Sequence, residues 1–171
     1  MTNTKHLVIC ALLIALSFIG ANIRVFGSIA FDSMPAFLAA LLLGPIYGAI
    51  IGFIGHMLTA TLSGFPLSPP LHIVIAFAMA ITMLGFGYTY KALKGRARES
   101  VNLSITGIVG VLLNAPFSLG LSMAVLAIMA GIEAALGLTA MLPFLILASI
   151  INVVLSIVIF KVLQRFWDKA K

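Results

Sequence analysis

The chain has 171 residues, of which 63% are hydrophobic and 8% charged, and its mean hydropathy is +1.25. A soluble domain needs roughly 25% charged residues to coat its surface, so this composition excludes one and leaves an all-α integral membrane protein, a single transmembrane domain over residues 1–171. The net charge of +6 does not indicate nucleic acid, because the basic residues sit at the ends of apolar runs and not across a water-exposed face.

The first apolar run, residues 5–23, reads as a membrane span. No small-x-small cleavage pattern is clearly placed around it, so it is not a removable signal. Cys10 within it packs as a small hydrophobe. On a helix, Ala11, Ala15, Phe18 and Asn22 share one face. The second run, residues 34–43, ends at Gly44 and Pro45. A crossing of the ~30 Å hydrocarbon layer takes about 20 residues, so this run must be tilted, extended by residues 31–33, or sunk within a bundle.

The third run covers residues 46–62. At 100° per residue, Gly44, Gly48, Gly52, Gly55, Thr59 and Ser63 fall within an arc of about 100°, which predicts a tight helix–helix seam. His56 lies at the edge of that arc. An ionisable group there must face the bundle or a cavity, as a ligand contact or as a structural hydrogen-bonder. The segment from Gly64 to Pro70 holds Pro66, Pro69 and Pro70, a stiff outer loop suited to a rim or lid. In the fourth run, residues 72–93, His72, Ala76, Met79 and Met83 share a face, either plain core or an adaptable ligand wall. The fifth span lies within residues 101–130. There Thr106, Gly110, Asn114, Phe117 and Ser118 fall on one side, and Pro116 should distort the helix. The sixth lies within residues 138–167, with Asn152 read as a satisfied structural polar group.

Charge fixes the count and the orientation. Six spans with the first residue inside place nine of the ten basic residues in the cytoplasm, leaving Arg24 outside with Asp32 and Glu133. Five spans would split the basic clusters across the membrane, so the positive-inside rule selects a compact bundle of six with both termini cytoplasmic. In that arrangement Asn22, Arg24, Asp32, His56, His72 and Asn114 gather toward the outer side, as a pocket open to the outside requires. Arg24 and Asp32 are either a pair or two solvated loop charges, and Glu133 is read as solvated.

Several chemistries are missing. There is no G-x-x-x-x-G-K-[ST] phosphate loop, no G-x-S-x-G, no H-E-x-x-H and no second cysteine. No carboxylate falls clearly within a span, as an ion-coupled carrier usually needs. His56 and His72 flank a proline-rich turn, a poor placement for a two-ligand haem site. No enzyme, metal or cofactor is indicated. A stand-alone secondary carrier, an intramembrane enzyme and a scaffold remain the competing classes.

The run from Ala11 to Ala15 matches a small-xxx-small motif. With the chain's size, its six short spans and the missing ATPase, it resembles the substrate-binding S component of energy-coupling factor (ECF) vitamin transporters in a prokaryotic plasma membrane. That resemblance implies partners: a transmembrane T subunit, docked through Ala11 and Ala15, and two cytoplasmic ATPases. It also implies that the S component topples in the membrane to release its substrate. The stretches Gly20-Ala-Asn-Ile-Arg24, Phe31-Asp-Ser-Met-Pro-Ala36 and Gly55-His-Met-Leu-Thr59, followed by Gly64-Phe-Pro-Leu67, look like the branch assigned to α-ribazole, a cobalamin precursor. The expected pocket then comprises Asn22, Arg24, Phe31, Asp32, His56, Phe65, His72, Met79, Asn114 and Phe117. The heterocycle would stack among Phe31, Phe65, Phe117 and Met79, and the ribose would bond to the polar groups. Pyridoxine- or pyrimidine-like vitamins, pantothenate and cobalamin remain alternative substrates.

Overall fold

A computed structural model describes residues 3–26 and 29–167. The helices are α1 (Asn3–Ala21), α2 (Met34–Leu42), α3 (Pro45–Leu62), α4 (Pro69–Leu93), α5 (Glu99–Leu112), α6 (Ser118–Ala130), α7 (Ile132–Gly137) and α8 (Leu142–Trp167). A π turn, Leu113–Phe117, joins α5 to α6, and a 3-10 turn, Leu138–Met141, leads into α8. Two short strands, β1 (Arg24–Phe26) and β2 (Ile29–Ala30), pair antiparallel between α1 and α2.

Five stretches are long and apolar enough to cross a membrane: Thr4–Ala21, Pro45–Leu62, Pro69–Leu93, Glu99–Ala130 and Ile132–Gln164. The remaining helix, α2, has nine residues and rises only about 13 Å. Of the three arrangements open to a run this short, the structure shows it sunk within the bundle. Residues 35–41 are all buried, packed among α1, α3, α4 and α8.

Contacts between helix ends fix the path. His6 of α1 stacks edge-on against Tyr47 of α3, and Lys91 of α4 reaches Gly44 at the α2–α3 junction. Tyr90 packs on Phe160 of α8 and donates its hydroxyl to Glu99 of α5. One end of the bundle therefore carries the start of α1, the α2–α3 and α4–α5 connections and the end of α8. Lys5, Lys91, Lys94, Arg96, Arg98 and Lys161 lie there, as a cytoplasmic end requires. The β hairpin, the α3–α4 loop and α7 form the opposite end.

Glycine makes the burial of α2 possible. A Cβ on Gly48 would stand 2.6 Å from Ala40 Cβ and 3.0 Å from the Ala36 carbonyl oxygen, so α2 and α3 meet backbone to backbone. Gly52 admits Met83 of α4, and Gly55 admits Ser17 of α1. The expected seam on α3 is thus a three-way junction. Polar satisfaction supports α2 from the other side. The Met34 N–H, an orphan donor at the start of α2, bonds to Asn152 Oδ1 at 2.9 Å, and Asn152 Nδ2 donates to the Ala148 carbonyl.

Gly48→Ala should cost about 1–3 kcal/mol by forcing a methyl into a closed contact and lower the thermal midpoint of the purified protein. Gly120→Ala, with open space around it, should leave the midpoint unchanged or raised. Equal midpoints for the two variants would contradict the backbone seam.

Candidate functional site

A cavity of about 80 Å³ lies at the outer end of the bundle, enclosed by α2, α3, α4, α6 and the start of α8. Its apolar wall is Ile75 and Met79 of α4, Leu119 of α6, Leu138 and Met141 of the 3-10 turn, and Leu145 and Ala148 of α8. Leu67, from the α3–α4 loop, closes over it. Polar groups enter from four directions: Asp32 and Ser33 ahead of α2, His56 on α3, Asn114, Ser118 and Ser122 on α5–α6, and Asn152 on α8.

The polar groups differ in how fully they are bonded. The Thr59 hydroxyl donates to Asp32 Oδ2. Burial pushes the carboxyl of Asp32, which lies outside the spans, up to about 6 from its ordinary 3.8, with the bonds from Thr59 and the backbone of Asp32 and Ser33 restraining the rise. His56 Nε2 lies 3.2 Å from His72 Nδ1, and the two rings stack with centroids 5.4 Å apart. One of those nitrogens carries the shared proton and the other accepts it. In either tautomer His72 Nε2 stays buried without a partner among the described residues. Asn114 donates through Nδ2 to Ser149 Oγ at 3.1 Å, while its Oδ1 is buried and unpaired among the described residues. An unpaired carboxamide oxygen costs roughly 1–3 kcal/mol. At a cavity wall it is an acceptor awaiting a donor.

The expected pocket residues divide into three groups. Asp32, His56, Met79 and Asn114 line the cavity. His72 and Phe65 stand behind it: His72 is fully buried against His56, and the Phe65 ring meets His72 edge-on at 5.7 Å. Asn22, Phe31 and Phe117 do not line it. Asn22 is exposed and bonds back to the Phe18 carbonyl, and the Phe31 carbonyl packs against Gly20. The side chain of Arg24 lies outside the described residues, so its pairing with Asp32 does too.

Phe117 misses for an identifiable reason. Extrapolating a regular helix from Asn114 carries Phe117 inward. The π turn at residues 113–117, where Pro116 removes an N–H, widens one turn and sets the phase back. Phe117 is therefore 39% exposed, and Ser118, Leu119 and Ser122 take the inward positions. Of these, only Ser118 was placed on that side by sequence. Leu138, Met141 and Leu145 carried no signal, being apolar residues in an apolar run.

The loop over the site is unusual in its backbone. Phe65 and Ser68 have φ of 52° and 132°, positive values that non-glycine residues rarely adopt. Such conformations persist where surrounding structure over-determines them, and they cluster at ligand clamps. Phe65 is pinned by His72 and Leu67 by the cavity, so this segment has the build of a lid.

The family described as "ECF transporter, substrate-specific component" has a sequence model that matches residues 5–164. No curated protein and no solved structure matches the chain.

Asp32 gives the site a pH signature. Its folded pKa stands above its ordinary one, so between pH 3.8 and about 6 the folded chain holds a proton that the unfolded chain releases, and stability falls as pH rises through that window. The thermal midpoint at pH 4 relative to that at pH 7 should be lower in Asp32→Asn than in the parent, because the variant loses the low-pH stability that this carboxyl contributes. A variant profile identical to that of the parent would remove Asp32 from the cavity's electrostatics.

Proposed function

The chain belongs to the ECF transporter substrate-specific component family, and from that premise we propose that its outer cavity is the substrate site and that α-ribazole is the substrate. Members of this family are multi-pass subunits of the prokaryotic cell membrane that work with the ECF T and ATPase subunits, and they are not enzymes. The observation that carries the substrate reading is the character of the cavity wall. Eight apolar side chains face hydroxyl, carboxamide, imidazole and carboxyl groups, and no described lining residue is a lysine or arginine.

That wall suits a neutral guest with an apolar ring system at one end and several hydroxyls at the other. Met79, Ile75, Leu119 and Leu145 take the ring faces by dispersion. The unpaired Asn114 Oδ1 accepts one hydroxyl, while Ser118, Ser122 and Asp32 serve others. A nucleoside such as α-ribazole has this division. Pantothenate would bring a carboxylate beside Asp32 with no described cation facing it, an uncompensated buried charge. Cobalamin, many times the bulk of a nucleoside, would need a far wider opening.

At about 80 Å³ the cavity is below the roughly 300–1,000 Å³ of typical small-molecule sites. The structure therefore corresponds to a contracted state. Admission of a nucleoside requires Leu67 and the 3-10 turn at Leu138–Met141 to withdraw, and these belong to two of the three connections at the outer end. Release into the cytoplasm then needs the whole bundle to reorient, because the packed core of α2 with Met83, Phe86, Tyr90 and Phe160 lies between the cavity and the inner end. The exposed face of α1 supports docking on the T subunit for that step. Ala11 and Ala15 are exposed, flanked by Leu12 and Leu16, and alanines four apart let another helix approach closely.

Equilibrium binding to the purified chain tests the reading. α-Ribazole should bind saturably and pantothenate should not compete. Asn114→Ala should weaken binding by about 1–3 kcal/mol, roughly five- to 150-fold. Ala15→Trp should leave that affinity unchanged while abolishing uptake by the assembled transporter. Competition by pantothenate, or undiminished affinity in Asn114→Ala, would overturn the assignment.

A further inference from the structure

A second concavity lies on the flank of the bundle, between α5 and α8, with a volume of about 610 Å³. On α5 it is lined by Ser100, Ser104 and Gly107, one helical turn apart, together with Leu103, Ile108 and Val111, and on the other side by a stripe of α8. On α8, Ile150, Val153, Val154, Ile157 and Lys161 fall within about 100° of arc. A Cβ on Gly107 would stand 3.3 Å from Ile157 Cδ1, so the glycine lets α5 and α8 meet closely along the groove. Ile108 and Val154 are 62% and 51% exposed, which opens the groove sideways toward the membrane.

Its polarity runs in one direction. From residue 150 to residue 157 α8 contributes only apolar side chains to it, and then comes the Lys161 ammonium, level with Ser100 and Ser104 at the cytoplasmic end. The rise from Ile150 to Lys161 is about 16 Å, close to the ~15 Å depth of one leaflet's hydrocarbon. Arg98, exposed at the start of α5, does not line the groove, so Lys161 is the cation that faces it. The one acid nearby among the described residues, Glu99, is turned away and accepts the Tyr90 hydroxyl on α4.

We propose that the α5–α8 groove is a binding site for a single inner-leaflet phospholipid with an anionic headgroup, its acyl chain along the groove and its phosphate between Lys161, Ser100 and Ser104. The length match selects an acyl chain, and the charge at the cytoplasmic end selects an anion. A partner helix fits less well, since Lys161 would be buried against it. The face is also separate from the alanine face of α1, which packs on α2 and α3, whereas α5 and α8 pack on each other and on α4 and α2. A lipid held on this flank would keep its headgroup with the inner surface, so it would either travel with the bundle or be shed whenever the bundle tilts.

The test uses the full chain purified in detergent, mixed with equal amounts of phosphatidylglycerol and phosphatidylcholine, and native mass spectrometry of the retained adducts. A single phosphatidylglycerol adduct should exceed the phosphatidylcholine adduct by about fivefold, the effect of one lysine at a membrane surface. Lys161→Gln should bring that ratio close to one, and Val154→Trp should remove the adduct while the protein stays monodisperse. Equal retention of the two lipids would overturn the proposal, as would an unchanged ratio in Lys161→Gln or an adduct surviving Val154→Trp. So would cross-linking of Val154→Cys to the T subunit in the assembled transporter.

Discussion

The structure depends on one close approach: the backbone of α2 lying directly against that of α3 at Gly48. A nine-residue helix has no means of crossing the bilayer by itself, and its orphan terminal groups have no water to satisfy them. It survives because Gly48, Gly52 and Gly55 remove side chains where α2, α4 and α1 converge, and because Asn152 takes the first N–H of α2. Sinking α2 also delivers Asp32 and Ser33 to the cavity wall. Packing and site are thus consequences of the same contact.

The cavity's chemistry follows from where polar groups remain unsatisfied. Away from it, Thr82, Asn102 and Thr106 are buried and bonded to backbone or to each other. At the outer end the bonding is incomplete, with Asn114 Oδ1 and His72 Nε2 lacking partners among the described residues. His72 supports the site through His56 without lining the cavity, and Phe65 secures His72 from the loop above. The strained loop, the histidine pair and the cavity wall form one connected unit, so a guest that displaced Leu67 would be felt at the histidines.

Much of the fold was legible because membrane sequences announce themselves through charge and length. Basic residues at 91–98 and 161–171 fixed the parity of the crossings, and Gly44-Pro45 marked the turn into α3. The short run at 34–43 was readable as a problem, and the structure answered it with burial. The hairpin between α1 and α2 carried no distinct pattern. Within the site, Asp32, His56, Met79 and Asn114 were legible because polar or polarizable groups are conspicuous in an apolar chain. Phe31, Phe65 and Phe117 were conspicuous too, yet none lines the cavity. For Phe117 the reason is a π turn, a change of phase that regular periodicity does not encode. The wall from Leu138 to Leu145 was illegible for the opposite reason, since leucine in a membrane helix says nothing about which way it faces.

The central claim is that a hydroxylated heterocycle occupies the space among Met79, His56, Asp32 and Asn114. A crystal structure of the chain with α-ribazole bound tests it most directly. Ligand density is expected there, with a hydroxyl within hydrogen-bond distance of Asn114 Oδ1 and Leu67 moved outward. Density at another place, with this cavity still contracted and Asn114 still unpaired, would contradict it.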